Sequence, residues 1–112
     1  MLDPLASQLE RYMDLLSARQ RLVASNIANA DTPGYRTKDI DFISEFQNAA
    51  GGPPQVVSVG GLKVKNDGND VSIDRESRLL AENALRFQLA SNLMHQQIQA
   101  VRSAIQGGSN NS

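Results

Sequence analysis

From residue 80 to residue 105 the chain keeps one rhythm. Leu80, Ala84, Phe87, Ser91, Met94, Ile98, Val101 and Ile105 are separated by four and three residues in strict alternation. Only an α-helix puts such positions on one line, and the 4-3 alternation is the a/d seam of a coiled coil, sustained over more than three heptads. Leu79, Leu85, Leu89 and Leu93 broaden the line into a wide apolar face. Ser72 or Asp74 can cap the start. Asp74 and Glu76 place negative charge near the positive end of the helix dipole. Gly107-Gly108 is the expected stop, with SNNS as a fraying polar tail. The predicted helix is about 45–50 Å long.

A second helix is predicted from about Leu5 to Ala30. Asp3 suits the N-cap and Pro4 the first helical position. Leu5, Leu9, Tyr12 and Leu16 share one face, and the same spacing continues through Arg19, Val23, Asn26 and Ala30. Leu2, Met13, Leu15, Leu22 and Ile27 widen that stripe. Between the helices, Phe42, Ile43 and Phe46 suit one or two helical turns, which Gly51-Gly52-Pro53-Pro54 ends. QVVSV and LKVKN flank Gly60-Gly61 and read as a small β-hairpin over residues 55–66; the NDGND stretch at 66–70 reads as a turn. The fold class is therefore mainly α. An N-terminal helix and turn (1–35) and a C-terminal helix and tail (74–112) enclose a small insert (36–73) that holds a short helix and the hairpin.

Composition narrows the function. A chain of 112 residues suits one small domain, and 40% apolar with 4% aromatic residues favours aliphatic helix packing. A net charge of −1 with both signs interspersed leaves no basic footprint for nucleic acid. No apolar run is long enough to span a bilayer. The N-terminus lacks the pattern of a cleaved secretory signal, and the absence of cysteine excludes disulfides and thiolate metal sites. Enzyme signatures are poor. His95 is the single histidine, on the second helix beside Met94. Asp39 and Asp41 could form a carboxylate pair, but suit the polar side of a short segment better. DGND at 67–70 lacks the full spacing of a calcium loop, and VSVGGL lacks the Lys-Ser/Thr of a phosphate loop. Arg11, Arg19, Arg21, Arg75, Arg78, Arg86 and Arg102 read as solvated faces or intersubunit pairs. No cofactor and no small-molecule substrate are expected.

One stretch is more specific than a helix stop requires: NIANADTPGY at 26–35. Thr32 precedes proline and is driven from helical geometry. Pro33 cannot continue the hydrogen-bond ladder. Pro33-Gly34 suits the central positions of a type II turn, where Gly34 accepts positive φ. Asn29 and Asp31 can bond the last free groups of the helix or the turn. Tyr35 brings a ring and a hydroxyl that can anchor the chain just beyond. Sterics leave Asn26 over, because it falls on the buried stripe. A seam asparagine costs stability but fixes register and partner number. On that reading, Asn26→Leu keeps or raises helicity yet impairs assembly.

ASNIANADTPGY at 24–35 resembles the signature of the flagellar basal-body rod family. RTKDIDF at 36–42, with Asp39, Asp41 and Phe42, is similar to proximal rod subunits in particular. GNDVSIDRE at 68–76 and LAENALRFQ at 80–88 resemble the start of their C-terminal helix. The likeness covers roughly residues 1–46 and 67–108. It implies an antiparallel, coiled-coil-like hairpin of the two long helices, packed side by side with other copies into a helical tube around an export channel. It also implies a structural subunit with no enzymatic residues, contacts with other proximal rod subunits and the basal-body adaptor protein, and passage through the flagellar type III export apparatus without a cleaved signal. The insert is shorter than related proximal rod proteins carry.

The two apolar stripes fit that picture. Leu5, Leu9, Tyr12, Leu16 and Val23, with Ile27, are expected to face Leu80, Phe87, Met94, Ile98, Val101 and Ile105 across the hairpin. Leu15, Leu22, Leu85, Leu89 and Leu93 are left for neighbouring subunits. A coiled-coil adaptor or chaperone of a secretion system would share the apolar ends but gives no reason for the Thr-Pro-Gly-Tyr stop.

Overall fold

The computed structural model describes residues 4–110; Asp3, the expected cap, lies outside them. Helix α1 runs Pro4–Ala28, strand β1 Lys38–Ile40, helix α2 Phe42–Gln47, strand β2 Val56–Ser58 and helix α3 Ile73–Asn110. α1 and α3 lie antiparallel: Asn26 meets Glu76, and Gln20 meets Asn83. The insert leaves from their common end and runs back along α1 as far as Tyr12 and Arg11. The molecule measures 73 × 26 × 17 Å, because α3 alone, at 38 residues, is about 57 Å long.

Local chemistry accounts for the boundaries. After Ala28 the chain tightens, with Asn29 N–H shared between the Ser25 and Asn26 carbonyls, before Pro33 forbids further helix. Ser72 caps α3: its hydroxyl accepts from Arg75 N–H at 3.2 Å, and Asp74 and Glu76 occupy the first turn. Asp41 caps α2 through Ser44 N–H and the Ser44 hydroxyl. α2 then sets Phe42 and Phe46 edge-on against Tyr12, at 5.3 and 5.6 Å between ring centres.

The expected hairpin across Gly60-Gly61 does not form. β2 pairs instead with β1, antiparallel, with Lys38 opposite Ser58 and Ile40 opposite Val56. The 62–66 run turns back on the polar turn: Lys65 N–H bonds Asn69 O, and Gly68 N–H bonds Lys65 O. A lone hairpin is marginal in water, whereas β1 is already anchored to α1 and offers a fixed edge. Nor does Gly107 end α3, which continues to Asn110. Gly107 has no positive φ, and glycine within a helix costs only about 1 kcal/mol.

The hairpin seam is rotated from the one its spacing predicts. Leu16 and Val23 are buried as expected, and so is Leu15, which was assigned outward. Leu9, Tyr12 and Met94 are half-buried. Leu5, Ile27, Leu80, Phe87, Ile98, Val101 and Ile105 are exposed, as are Leu85, Leu89 and Leu93. On α3 the positions facing α1 are Glu76, Leu79, Asn83 and Ala90, one residue before the predicted line. A step of one residue turns a helix by roughly 100°. The reason lies at the closed end, where polar bonds fix α3's rotation before any leucine can choose. Ala90, at 2% exposure, also lets the two backbones approach more closely than Phe87 would.

Candidate assembly junction

Where α1, β1 and the start of α3 converge, the core is polar. Asn26 is fully buried. Its amide nitrogen donates to Lys38 O at 2.8 Å and to Glu76 Oε1 at 3.1 Å. Its amide oxygen accepts from Lys38 N–H and from the Tyr35 hydroxyl, each at 3.1 Å. One side chain therefore ties α1 to β1, to the turn and to α3. All four bonds lie within the chain, and the one to Glu76 joins elements 50 residues apart in sequence.

The turn between α1 and β1 takes the expected form. Tyr35 N–H bonds Thr32 O at 3.2 Å, with Pro33 and Gly34 between them and Gly34 at φ 76°. Asn29 donates to Ser25 O and accepts from the Thr32 hydroxyl. Asp31 is exposed on the outer side of the turn. The Tyr35 hydroxyl also lies 3.3 Å from Ser25 Oγ, and Lys38 Nζ sits over its ring.

Two more anchors come from the stretch read as a plain turn. Asn69, fully buried, donates to Asn29 O and Thr32 O, both at 2.9 Å, and accepts from Val71 N–H. Both carbonyls belong to the turn after α1 and also accept backbone N–H groups, from Thr32 and Tyr35, so Asn69 ties the 66–70 stretch to that turn. Asp70 Oδ1 accepts from Thr37 N–H at 2.6 Å and the Thr37 hydroxyl at 2.8 Å. Gly34 N–H bonds Asp67 O, and the chain crosses itself so closely that a Cβ on Gly68 would stand 3.4 Å from Gly34 Cα.

Charge completes the junction. Asp39 receives Arg19 side-on, Nε at 3.0 Å and Nη2 at 2.9 Å, and Arg75 at 2.7 Å. Arg75 also pairs with Glu76 at 2.7 Å. Two guanidiniums and two carboxylates thus balance. Burial pushes the Asp39 carboxyl up. The Arg19 hydrogen bonds, the Ile40 N–H, the Arg19 charge and Arg75 together outweigh it and hold the pKa below the ordinary aspartate value. Asp70 behaves likewise: burial raises it, and the Thr37 amide, the Thr37 hydroxyl and Arg36 bring it lower.

Asp39 and Asp41 are therefore no acid–base pair, since one is ion-paired and the other caps α2. Arg19 and Arg75, read as solvated faces or intersubunit pairs, are internal ties. His95 is exposed on α3. No cluster of metal-ligating side chains occurs among the described residues. No described helix is long and apolar enough to cross a membrane. The residues that sequence reasoning missed are Asn69, Asp70, Glu76 and the two arginines. The signals available were the Asn/Asp-rich stretch that holds Asn69 and Asp70, directly before a long helix, and the place of Arg19 on the apolar line of α1.

A buried polar clamp at the root of two long and largely uncovered helices is the architecture of a structural building block. Residues 13–36 match the sequence model of the family described as Flagella basal body rod protein. That span covers the second half of α1 and the turn. Over 96% of the chain and 99% of the relative, the sequence is 34% identical to flagellar basal body rod protein FlgB of Salmonella typhimurium. It is 31% identical to FlgB of Escherichia coli over the same shares. It is 33% identical to FlgB of Cereibacter sphaeroides, over 83% of the chain and 87% of the relative. The chain belongs to the FlgB family and is a structural subunit of the proximal rod of the flagellar basal body. The enterobacterial alignments extend over 137 positions against 112 residues here, so those relatives carry additional chain.

Proposed function

We propose that the junction works as a register clamp for assembly. Asn26, Asn29, Thr32 and Tyr35, with Asp39, hold α1, β1 and α3 in one relative position. Asp31, Pro33 and Gly34 turn the chain out into the insert. Asp41 and Phe42 seat α2 against α1. The exposed stripes of the helices then take neighbouring subunits, and heterologous contacts that do not close build a helical tube. The partners are further copies of this chain, other proximal rod subunits, the basal-body adaptor protein and the flagellar type III export apparatus. The subunit acts mechanically and carries no reaction.

The carrying observation is the apolar surface left on α3. Leu80, Leu85, Phe87, Leu89, Ile98, Val101 and Ile105 are each between 39% and 70% exposed. Covering one such side chain fully is worth roughly 1.5–3 kcal/mol, so the stripe as a whole strongly favours association. Away from the junction the helices of a free monomer have little to hold them, and their ends order on assembly. Circular dichroism should show helicity rising from dilute monomer to assembled rod; a fully helical dilute monomer would contradict this coupling. The decisive experiment deletes the gene and images basal bodies. Loss of rods and motility, restored by the intact gene, is the expected result. Intact rods and filaments in the deletion strain would overturn the reading in favour of a secretion adaptor.

A further inference from the structure

The in-chain pairing is used up before α3 ends. The Asn26–Glu76 and Gln20–Asn83 contacts set the antiparallel alignment, which places the start of α1 beside the mid-90s of α3. Residues 101–107 are all exposed. This overhang continues the heptad line with Val101 and Ile105, and its one charge is Arg102. The same line, further back, forms a wall of an open trough along the hairpin. One stretch of that trough, of 570 Å³, lies between Ser17, Gln20 and Ala24 of α1 and Ala84 and Phe87 of α3. The next stretch is lined by Met13, Phe87 and Met94 and flanked by the acids Glu10 and Asp14. Ser17 and Phe87 belong to both. Small residues along the floor admit the close approach of a third helix, as in a three-stranded coil.

We propose that this trough receives the α3 overhang of a second copy of the chain, with Val101 and Ile105 against Met13 and Met94 and Arg102 between Glu10 and Asp14. Three features commit the site to that occupant. The overhang is the uncovered continuation of the same heptad line whose Ala84, Phe87 and Met94 form the α3 wall of the trough, so it carries apolar side chains at the spacing of that wall. Its single positive charge answers the two acids there. The contact is heterologous: each copy offers its overhang and receives another's, which propagates without closing. That last consequence gives the polymer reading a specific contact, and it rests on that reading only for its biological setting.

The test uses the purified full chain, which has no native cysteine. Chains carrying Met13→Cys are mixed with chains carrying Val101→Cys and oxidised. Within one chain these positions lie about 17 Å apart along the helices, beyond disulfide reach. A disulfide dimer found in the mixture and in neither variant alone is expected. In parallel, sedimentation should show Arg102→Glu and Asp14→Arg each weakening self-association by about threefold to tenfold, with the double variant restored. A dimer formed by Val101→Cys alone would mean symmetric tail pairing and overturn the proposal. So would a chain that stays monomeric at its highest soluble concentration, or a double variant no better than the singles. None of these outcomes touches the rod assignment, which stands or falls on the deletion strain.

Discussion

Replacing Asn26 by leucine tests whether the polar junction, and not the leucine stripe, sets the geometry of the hairpin. Four hydrogen bonds between 2.8 and 3.1 Å are lost. The Lys38 backbone groups and the Tyr35 hydroxyl bond Asn26 in a part-buried setting, so water can reach them and each loss costs about 0.5–1.5 kcal/mol. Glu76 is different. Its side chain is fully buried and Oε2 has no partner among the described residues, which leaves Arg75 as its remaining tie there and costs about 1–3 kcal/mol. The leucine brings back some burial, incompletely, because the pocket is lined by carbonyls and a carboxylate. The net loss is about 2–4 kcal/mol. That is a large part of the roughly 5–15 kcal/mol that holds a domain together. It also replaces the expectation from the sequence that helicity would be kept or raised: the structure requires the closed end of the hairpin to loosen. The assay is urea unfolding followed by tyrosine fluorescence in a Tyr12→Phe background. The chain has two tyrosines and no tryptophan, so Tyr35 then reports from the junction alone. A drop in midpoint of about 1–3 M is expected. A loss below about 0.5 kcal/mol would refute the reasoning, since it would mean that the four bonds contribute no more than surface contacts.

Three further expectations follow from the same geometry. Leu79→Ala should destabilise the free chain by about 2–3 kcal/mol in the same melt, while Leu80→Ala should cost well under 1; equal losses would show that α3 is rotated differently. Asp39 and Asp70 both have pKa values lowered by folding. The stability they confer is complete above the unfolded aspartate pKa of about 3.9 and is lost as pH falls through their lower folded values. Urea midpoints should hold steady from neutral pH to about 5 and fall steeply below about 4, and Asp39→Asn should flatten that fall. Gly34→Ala and Gly68→Ala should each cost about 1–2 kcal/mol from their left-handed conformations, because a methyl on Gly68 meets Gly34 Cα only at ordinary contact distance; a Gly68→Ala loss well beyond that range in thermal melts would contradict this geometry.

What was legible in the sequence divides along a physical line. Period and capping are local, so both long helices, the cap of α3 at Ser72, one of two candidates, and the Pro33-Gly34 turn could be read directly. Rotation is not local. Leu79 and Leu80 are both leucine, and spacing favours the wrong one. The choice is made by Glu76 reaching Asn26 and by Arg75 reaching Asp39, partners 50 and 36 residues away. The β pairing failed for a related reason. Lys38-Asp39-Ile40 carries no strand signal, and it becomes a strand because Asn26 and Asp70 already hold the backbone at and beside it. Asn26 stood out because it broke an apolar pattern. Asn69 and Asp70 did not, because polar residues in a turn break nothing.

The central claim is that the junction fixes the subunit while the exposed α3 stripe builds the rod. The most direct measurement is electron microscopy of basal bodies from a strain whose sole copy carries Phe87→Ser and Ile98→Ser, paired with the Tyr35-monitored melt of the same protein. Both side chains are more than a third exposed and lie away from the junction. The account predicts a melt lowered by no more than the partial burial of Phe87, about 1–2 kcal/mol, and no rods. Rods of normal form on that altered stripe would contradict it.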